Sequence, residues 1–366
     1  MKYIMDETDK SPAYLQLYKQ VRDDIVGETY PYNSKLPSKR LLADEVGVST
    51  VTVEHAYALL CDEGYIESRE RSGFFVIFRR TDGFASSADK RPTQAHPLYH
   101  SAPAYPGFPF SVLSKTMRKV LTEYGESLLE RSPNAGCTEL RDALKQYLAR
   151  NRGIYIDIDQ IIIGSGAEYL YGLIVDLLGR NQIYAIESPS YQKIEQVYRA
   201  TEVTYELLPL AHDGIDSTSL SATRATILHT TPYRSFPSGV TASASKCHEY
   251  VRWADKGDRL IIEDDFESEF SVSAKSMETL FSISEHGNVI YLNTFSKTIS
   301  PSLRVGYMVL PKRLVKPFEE KLGFYSCTVP TFEQLVLTEL IRNGDFERHI
   351  NRVRRNKRKE LQKSGH

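Results

Sequence analysis

Apolar residues recur along this chain at helical spacing first, and then, past residue 110, in short runs that alternate with helical stretches. Tyr14, Leu15, Leu17, Tyr18, Val21 and Ile25 fall at helical intervals, and Gly27 is their stop. Leu36-Pro37-Ser38 opens a second helix, with Ser38 as N-cap before Lys39-Arg40-Leu41-Leu42-Ala43, and Gly47 breaks it. Ser49 caps a third helix from Thr50 to about Asp62, whose Val53, Ala56, Tyr57 and Leu60 share one face. Glu63-Gly64-Tyr65-Ile66 leads into a strand, Ser72-Gly73 turns, and Phe74-Phe75-Val76-Ile77-Phe78 returns. Three helices and a hairpin, with a short glycine-containing turn between helices two and three, describe a winged helix-turn-helix.

Residues 79–110 read as a linker, rich in Ser, Ala, Pro and His, and proline there favours a semi-extended spacer. From 111 onward the pattern predicts helices at 111–124, 138–151, 167–178, 190–200, 243–256 and 331–350. Strands are predicted at 161–163, 183–186, 203–208, 225–230, 259–263, 289–292 and 305–310. Such alternation predicts a mainly parallel α/β sheet with helices on both faces. The domains expected are therefore 1–78, a linker at 79–110, and a large domain at 111–366.

Composition changes this picture little. The chain has 366 residues, 41% apolar and 25% charged, enough for two or three domains with a buried core. No segment approaches the roughly 18 uninterrupted apolar residues of a membrane span. The start, Met1-Lys2-Tyr3-Ile4-Met5-Asp6, is no signal peptide. Cys61, Cys137, Cys247 and Cys327 are scattered without metal spacing and read as reduced thiols of a cytoplasmic protein. The net charge of −1 carries no global nucleic-acid signature, although a small module needs only a local basic face.

Such a face is available. Helix three offers Ser49, Thr50, Thr52 and His55 away from its apolar side, groups able to reach base edges and phosphates in a major groove. Lys39 and Arg40 open helix two, and Arg69 and Arg71 sit on the hairpin, as phosphate clamps. Plainer readings exist: serine and threonine at helix starts are often only caps. Helix three also carries Glu54 and Asp62, with Glu63 just after, and these cannot favour phosphates.

The second constellation is chemical. Lys297 lies in Asn293-Thr294-Phe295-Ser296-Lys297-Thr298, after a strand and before Arg304. Lysine is the side chain that forms a reversible imine with an aldehyde. Asp264 ends the run Leu260-Ile261-Ile262-Glu263 and can pair with a protonated pyridine nitrogen. Arg304, with Ser296 and Thr294 as hydroxyl donors, is spaced to fold back on a phosphate. Ser165, Gly166, Ala167 and Glu168 follow Ile161-Ile162-Ile163 and would offer backbone N–H groups at a helix N-terminus. Tyr191 could stack on a ring. Singly, each has a bland alternative: a surface lysine, a helix cap, a tight turn, a core aromatic. Together they would hold pyridoxal 5'-phosphate (PLP).

The order Leu36-Pro-Ser-Lys-Arg40-x-Leu42-Ala43, Val48-Ser49-x-x-Thr52-Val53, Glu63-Gly64-Tyr65-Ile66 and Ser72-Gly73-x-Phe75-Val76 resembles GntR-type winged helices. The cofactor ensemble resembles fold-type I PLP enzymes of the aminotransferase class I/II group. Thr231-Pro232, Phe236-Pro237-Ser238-Gly239 and Glu263-Asp264-Asp265-x-x-Ser268-Glu269-Phe270 strengthen that likeness. Taken whole, the chain resembles the MocR/GabR family. The resemblance implies a Schiff base at Lys297, the pyridine nitrogen at Asp264, the phosphate at Ser165-Gly166-Ala167, Ser296 and Arg304, and ring stacking at Tyr191. It also implies a homodimer and an amine or amino-acid effector.

Three departures bear on activity. The family's His-Gln pair is Arg234-Ser235 here, and its tyrosine after the acidic pair is Phe266. The sequence is also expected to lack the family's small C-terminal domain, which carries the arginine that grips a substrate carboxylate. Little or no transaminase turnover is therefore expected. The expected function is a PLP-responsive DNA-binding transcriptional regulator. The alternatives are an aminotransferase with an accessory DNA-binding domain, or a DNA-binding remnant without PLP.

Overall fold

The computed structural model of the chain describes residues 3–6, 11–79, 107–272 and 278–364. The chain divides into two compact units, Met1–His100 and Ser101–His366. Most of the segment expected as a linker, 80–106, lies outside the described residues.

In the first unit, α1 (Ala13–Val26), α2 (Lys39–Val46) and α3 (Thr50–Asp62) precede the hairpin β1 (Ile66–Arg69) and β2 (Gly73–Val76). Ser38 Oγ accepts from the Leu41 amide and Ser49 Oγ from the Thr52 amide, so both predicted caps act as caps. Gly47 ends α2 at φ +75°, a left-handed position that glycine takes without strain. Leu17, Val21, Ile25, Leu42, Val53, Ala56, Leu60 and Val76 make a closed core. The hairpin pairs Ile66 with Val76 and Arg69 with Gly73; the return strand ends at Val76, not Phe78.

The second unit is an eight-stranded sheet with helices. Its elements run α4 (Phe110–Tyr124), α5 (Thr138–Arg152), β3 (Ile161–Gly164), α6 (Ala167–Leu178), β4 (Ile183–Ser188), α7 (Gln192–Ala200), β5 (Thr204–Ala211) and β6 (Gly214–Ile215). There follow α8 (Ser217–Ala222), β7 (Ile227–Thr230), α9 (Ala244–Asp255), β8 (Leu260–Asp264), α10 (Leu280–Ile283), β9 (Val289–Thr294) and β10 (Gly306–Val309). Last come α11 (Lys312–Leu322), α12 (Thr331–Arg342) and α13 (Asp345–Ser364). The strand order is β3-β10-β9-β8-β7-β4-β5-β6. The pairs β9–β8, β8–β7, β7–β4 and β4–β5 are parallel, while β10 is antiparallel to both neighbours and β6 to β5. The sheet is thus mainly parallel, as the alternation predicts. Every residue of β7, β8 and β9 is buried, which is why those strands read as unbroken apolar runs ending in polar residues.

Two readings change. The helix predicted over 331–350 is two helices, parted at Asn343-Gly344, where Gly344 sits at φ +71°. Helix α11 was not predicted, nor were the short α8 and α10. Helix α11 holds Pro317 in its interior, a residue that reads as a helix breaker although Phe318 and Leu322 face the core. Among the described residues no helix is long and apolar enough to cross a membrane.

Candidate functional site

Because β3, β4, β7, β8 and β9 point the same way, their carboxyl ends share one edge of the sheet, and β10 starts there. Ligand sites in open α/β sheets form at this edge. It gathers the turn after Gly164, the acid at Asp264 and the loop from Phe295 to Val305. A cavity of about 180 Å³ opens there. Its wall includes Ala167, Tyr191, Asp264, Thr294, Ser296, Lys297 and Arg304 from the predicted set, together with Glu168, Tyr171, Phe236 and Phe266. Ser165 and Gly166 are not on that wall. A larger cavity, about 250 Å³, is walled in part by α11 and holds none of the predicted residues.

Asp264 is 2% exposed. One carboxylate oxygen accepts from the Tyr171 hydroxyl, and His229 Nε2 stands 3.8 Å from the same oxygen. His229 is held through Nδ1 by the Tyr198 hydroxyl at 2.7 Å. The other oxygen, Oδ1, is buried with no hydrogen-bond partner among the described residues. An orphaned buried acceptor is costly, so a donor is wanted at this point of the wall. Lys297 Nζ lies 5.8 Å from the centre of the Phe266 ring. The Tyr191 ring meets Phe236 edge-on, with centroids 6.1 Å apart.

The side expected to take a phosphate is tighter than the sequence suggested. Gly166 has φ +95°, and a Cβ there would come within 2.9 Å of an Arg304 guanidinium nitrogen, so glycine is required. Arg304 is bonded to Glu168, and Glu168 also takes Lys193 Nζ at 2.5 Å. The Ser165 amide is taken by Thr328 Oγ1, and the Gly166 amide by the Gly164 carbonyl. Ser296 Oγ donates to the Leu303 carbonyl.

Behind the cavity wall lie more buried acids. Arg152 reaches Asp265 at 3.0 Å and Glu269 at 3.7 Å; Tyr291 donates to Asp265 and Asn293 to Glu269. Burial pushes both carboxyls above their ordinary values, and Arg152 draws them back part of the way. Glu187 accepts from the Thr230 and Ser235 hydroxyls and the Thr231 amide, and burial pushes it up to about 7. Ser235, one of the departures, thus ties its loop to β4. Arg234 lies 3.8 Å from Glu267.

On the first unit, Ser49, Thr50 and His55 are exposed on α3 and Thr52 is half-buried. The Ser49 and Thr52 hydroxyls are 2.9 Å apart, and the His55 ring meets Tyr14 edge-on. Lys39 is paired with Glu54 at 2.6 Å. Arg69 is paired with Glu67 at 2.6 Å, bonds Asn33 Oδ1, and lies over the Phe75 ring. Arg40 and Arg71 are exposed, Arg71 at the hairpin tip with φ +59°.

Sequence reasoning missed Tyr171, His229, Arg152, the pairing of Glu54 with Lys39, and the carboxylate of Glu168, which it read only for its backbone amide. For Glu168 a signal existed: it follows Ala167 directly at the start of α6, where an anion is favoured.

Residues 13–76 match the family model described as bacterial regulatory proteins of the gntR family, and residues 101–364 that of aminotransferase class I and II. The "Uncharacterized HTH-type transcriptional regulator YdeL" of Bacillus subtilis (strain 168) is 33% identical over 97% of this chain and 79% of its own length. The "Probable rhizopine catabolism regulatory protein MocR" of Rhizobium meliloti is 26% identical over 96% and 76%. Among solved structures, kynurenine aminotransferase of Pyrococcus horikoshii, crystallised with PMP, superposes with TM-score 0.62 at 26% identity, over 69% of this chain and 65% of that one. The multiple substrate aminotransferase of Thermococcus profundus gives 0.62 and 26%, over 69% and 66%. The chain spans just under two thirds of the length of these two enzymes. With its winged helix, its mainly parallel sheet and these relatives, the chain belongs to the MocR/GabR family, GntR-type regulators carrying an aminotransferase class I/II domain of fold type I.

Proposed function

We propose that this chain is a DNA-binding transcriptional regulator that responds to PLP. The observation that carries the reading is one wall that holds Lys297, Arg304 and a buried aspartate with an unpartnered oxygen. Those residues fit the group. Asp264 Oδ1 would accept from the pyridine nitrogen, with the Tyr171 hydroxyl fixing the carboxylate through its other oxygen. Lys297 would hold the aldehyde carbon as a Schiff base. Arg304, Ser296, Thr294 and Ala167 on the wall would receive the phosphate, whereas the Ser165 and Gly166 amides of the expected turn are taken by Thr328 and Gly164. Tyr191 would cover a ring face. Phe266 offers no hydroxyl to the ring's phenolic oxygen. When bound, the cofactor supplies an aldehyde and an electron sink.

In the same reading residues 1–78 are the DNA-binding domain, 79–110 the linker and 111–366 the cofactor domain. Helix α3 would enter the major groove with Ser49, Thr50, Thr52 and His55, while Lys39, Arg40, Arg69 and Arg71 take phosphates. Two copies suit two half-sites, so a homodimer is proposed, working in the cytoplasm. The effector is an amine or amino acid able to displace Lys297.

The test is a mobility shift on DNA from upstream of its own gene, with and without PLP, for the native protein and Lys297→Ala. A PLP-dependent change in the native protein that Lys297→Ala lacks is expected. Binding indifferent to PLP would remove the cofactor from the function. The likeness to solved aminotransferases favours transamination as a second reading. Turnover of an amino acid with 2-oxoglutarate at ordinary enzyme rates would put that reading first.

A further inference from the structure

A carboxylate stands where the cofactor's phosphate is expected to be gripped. Glu168 lies in the first turn of α6, on the wall of the same cavity as Lys297. One oxygen binds Arg304 and the other binds Lys193 at 2.5 Å. Arg304 rests against the bare backbone of Gly166, where a Cβ would meet its guanidinium at 2.9 Å. Glu168 is only 24% exposed, whereas each cation is 50% exposed. The two cations and one acid leave this corner with a single net positive charge. A phosphate near neutral pH carries close to two negative charges. It must win Arg304 from Glu168 and then sit beside that carboxylate.

We infer that Glu168 sets the affinity of this pocket for its phosphate-bearing cofactor: it occupies Arg304 before the cofactor arrives, and Lys193 retains it afterwards. The inference rests on the reading of the cavity as a PLP site. Like charge in a half-enclosed site is screened less than at the surface, so the effect is not lost to solvent. Lys193 is the reason the acid lowers affinity without abolishing it, since it gives Glu168 a second partner. A regulator that follows the level of free cofactor needs such reversible occupancy, because tight retention would leave it permanently loaded.

The measurement is a titration of the full chain with PLP, followed by visible absorbance, for the native protein, Glu168→Gln and Lys193→Ala. Glu168→Gln keeps the size of the side chain and is expected to bind PLP about tenfold more tightly. Lys193→Ala leaves Glu168 to Arg304 alone and is expected to bind several-fold more weakly. Inorganic phosphate, read by its shift of the melting temperature, should follow the same order. Equal or weaker binding by a Glu168→Gln protein with native circular dichroism would overturn the inference. If no variant gives the visible band, the cofactor reading fails instead. The phosphate titration then decides the role of Glu168: tighter binding by Glu168→Gln supports it, and unchanged binding overturns it.

Discussion

The winged helix and the cofactor cavity treat their cations alike but with different consequences. In both, a cation that the sequence assigns to an outside phosphate is already paired with an acid of the chain itself. On the winged helix the pairs are Lys39–Glu54 and Arg69–Glu67, with every partner more than a third exposed. Exposed pairs are worth roughly 0–1 kcal/mol and yield readily to a DNA backbone. At the cavity Glu168 is three-quarters buried, and behind it Arg152 with Asp265 and Glu269 is almost wholly buried. At Glu168 only the acid is shielded, since Arg304 and Lys193 are each half exposed, whereas the Arg152 pairs are closed off from water on both sides and are part of the structure. Burial, more than the identity of the ions, separates a contact that waits for a ligand from one that holds the site together.

The sharpest way to test that contrast is to remove Arg152. Arg152→Met leaves Asp265 and Glu269 buried and uncompensated, and should cost roughly 3–5 kcal/mol, read by denaturant unfolding. A loss no larger than that of a surface pair would break the comparison.

A smaller effect is expected from pH. Glu263 accepts the Leu280 and Phe281 amides, and burial, reinforced by Asp265, pushes it up to about 8. Its folded value lies above its unfolded value of 4.5, so its contribution is complete below pH 4.5 and is lost as pH rises through about 8. Glu187 adds the same sign up to about 7. Stability should therefore fall across that window by an amount on the order of a few kcal/mol. Glu263→Gln should flatten the slope, and a slope unchanged by that substitution would assign the effect to other groups.

The smallest effect belongs to the surface. Glu54→Gln frees Lys39 and should tighten DNA binding only a few-fold. The slope of log K against log salt should steepen by about 0.9. Fluorescence anisotropy on upstream DNA at several salt concentrations reads both. A change comparable to that of Glu168→Gln on PLP would erase the distinction between the two regions.

Local order was largely legible in the sequence. Ser38 and Ser49 act as caps, the all-buried strands β7 to β9 read as apolar runs, and Asp264 stands at the end of β8 as its run implied. The meeting of Lys297, Asp264 and Arg304 on one wall was expected as well, since parallel strands bring their carboxyl ends together. Pairing across distance was not legible. Tyr171 and Asp264 are 93 residues apart, and nothing in the periodicity of α6 marks which of its aromatics meets a carboxylate. Arg152 lies just past the helix predicted over 138–151 and is the counter-ion of two acids beyond residue 260. The break at Gly344 was a local signal overridden by the apolar pattern on either side of it.

The reversal of β10 has a mechanical corollary. Lys297 and Arg304 lie in one loop, whose ends are clasped by the Phe295 amide on the Val305 carbonyl at 2.9 Å, and Ser296 ties back to Leu303 within it. In the proposed reading the residue that would anchor the cofactor and the one that would grip its phosphate therefore travel as a single cassette, with a spacing set inside the loop. An insertion within this loop would then be expected to displace Lys297 and Arg304 together.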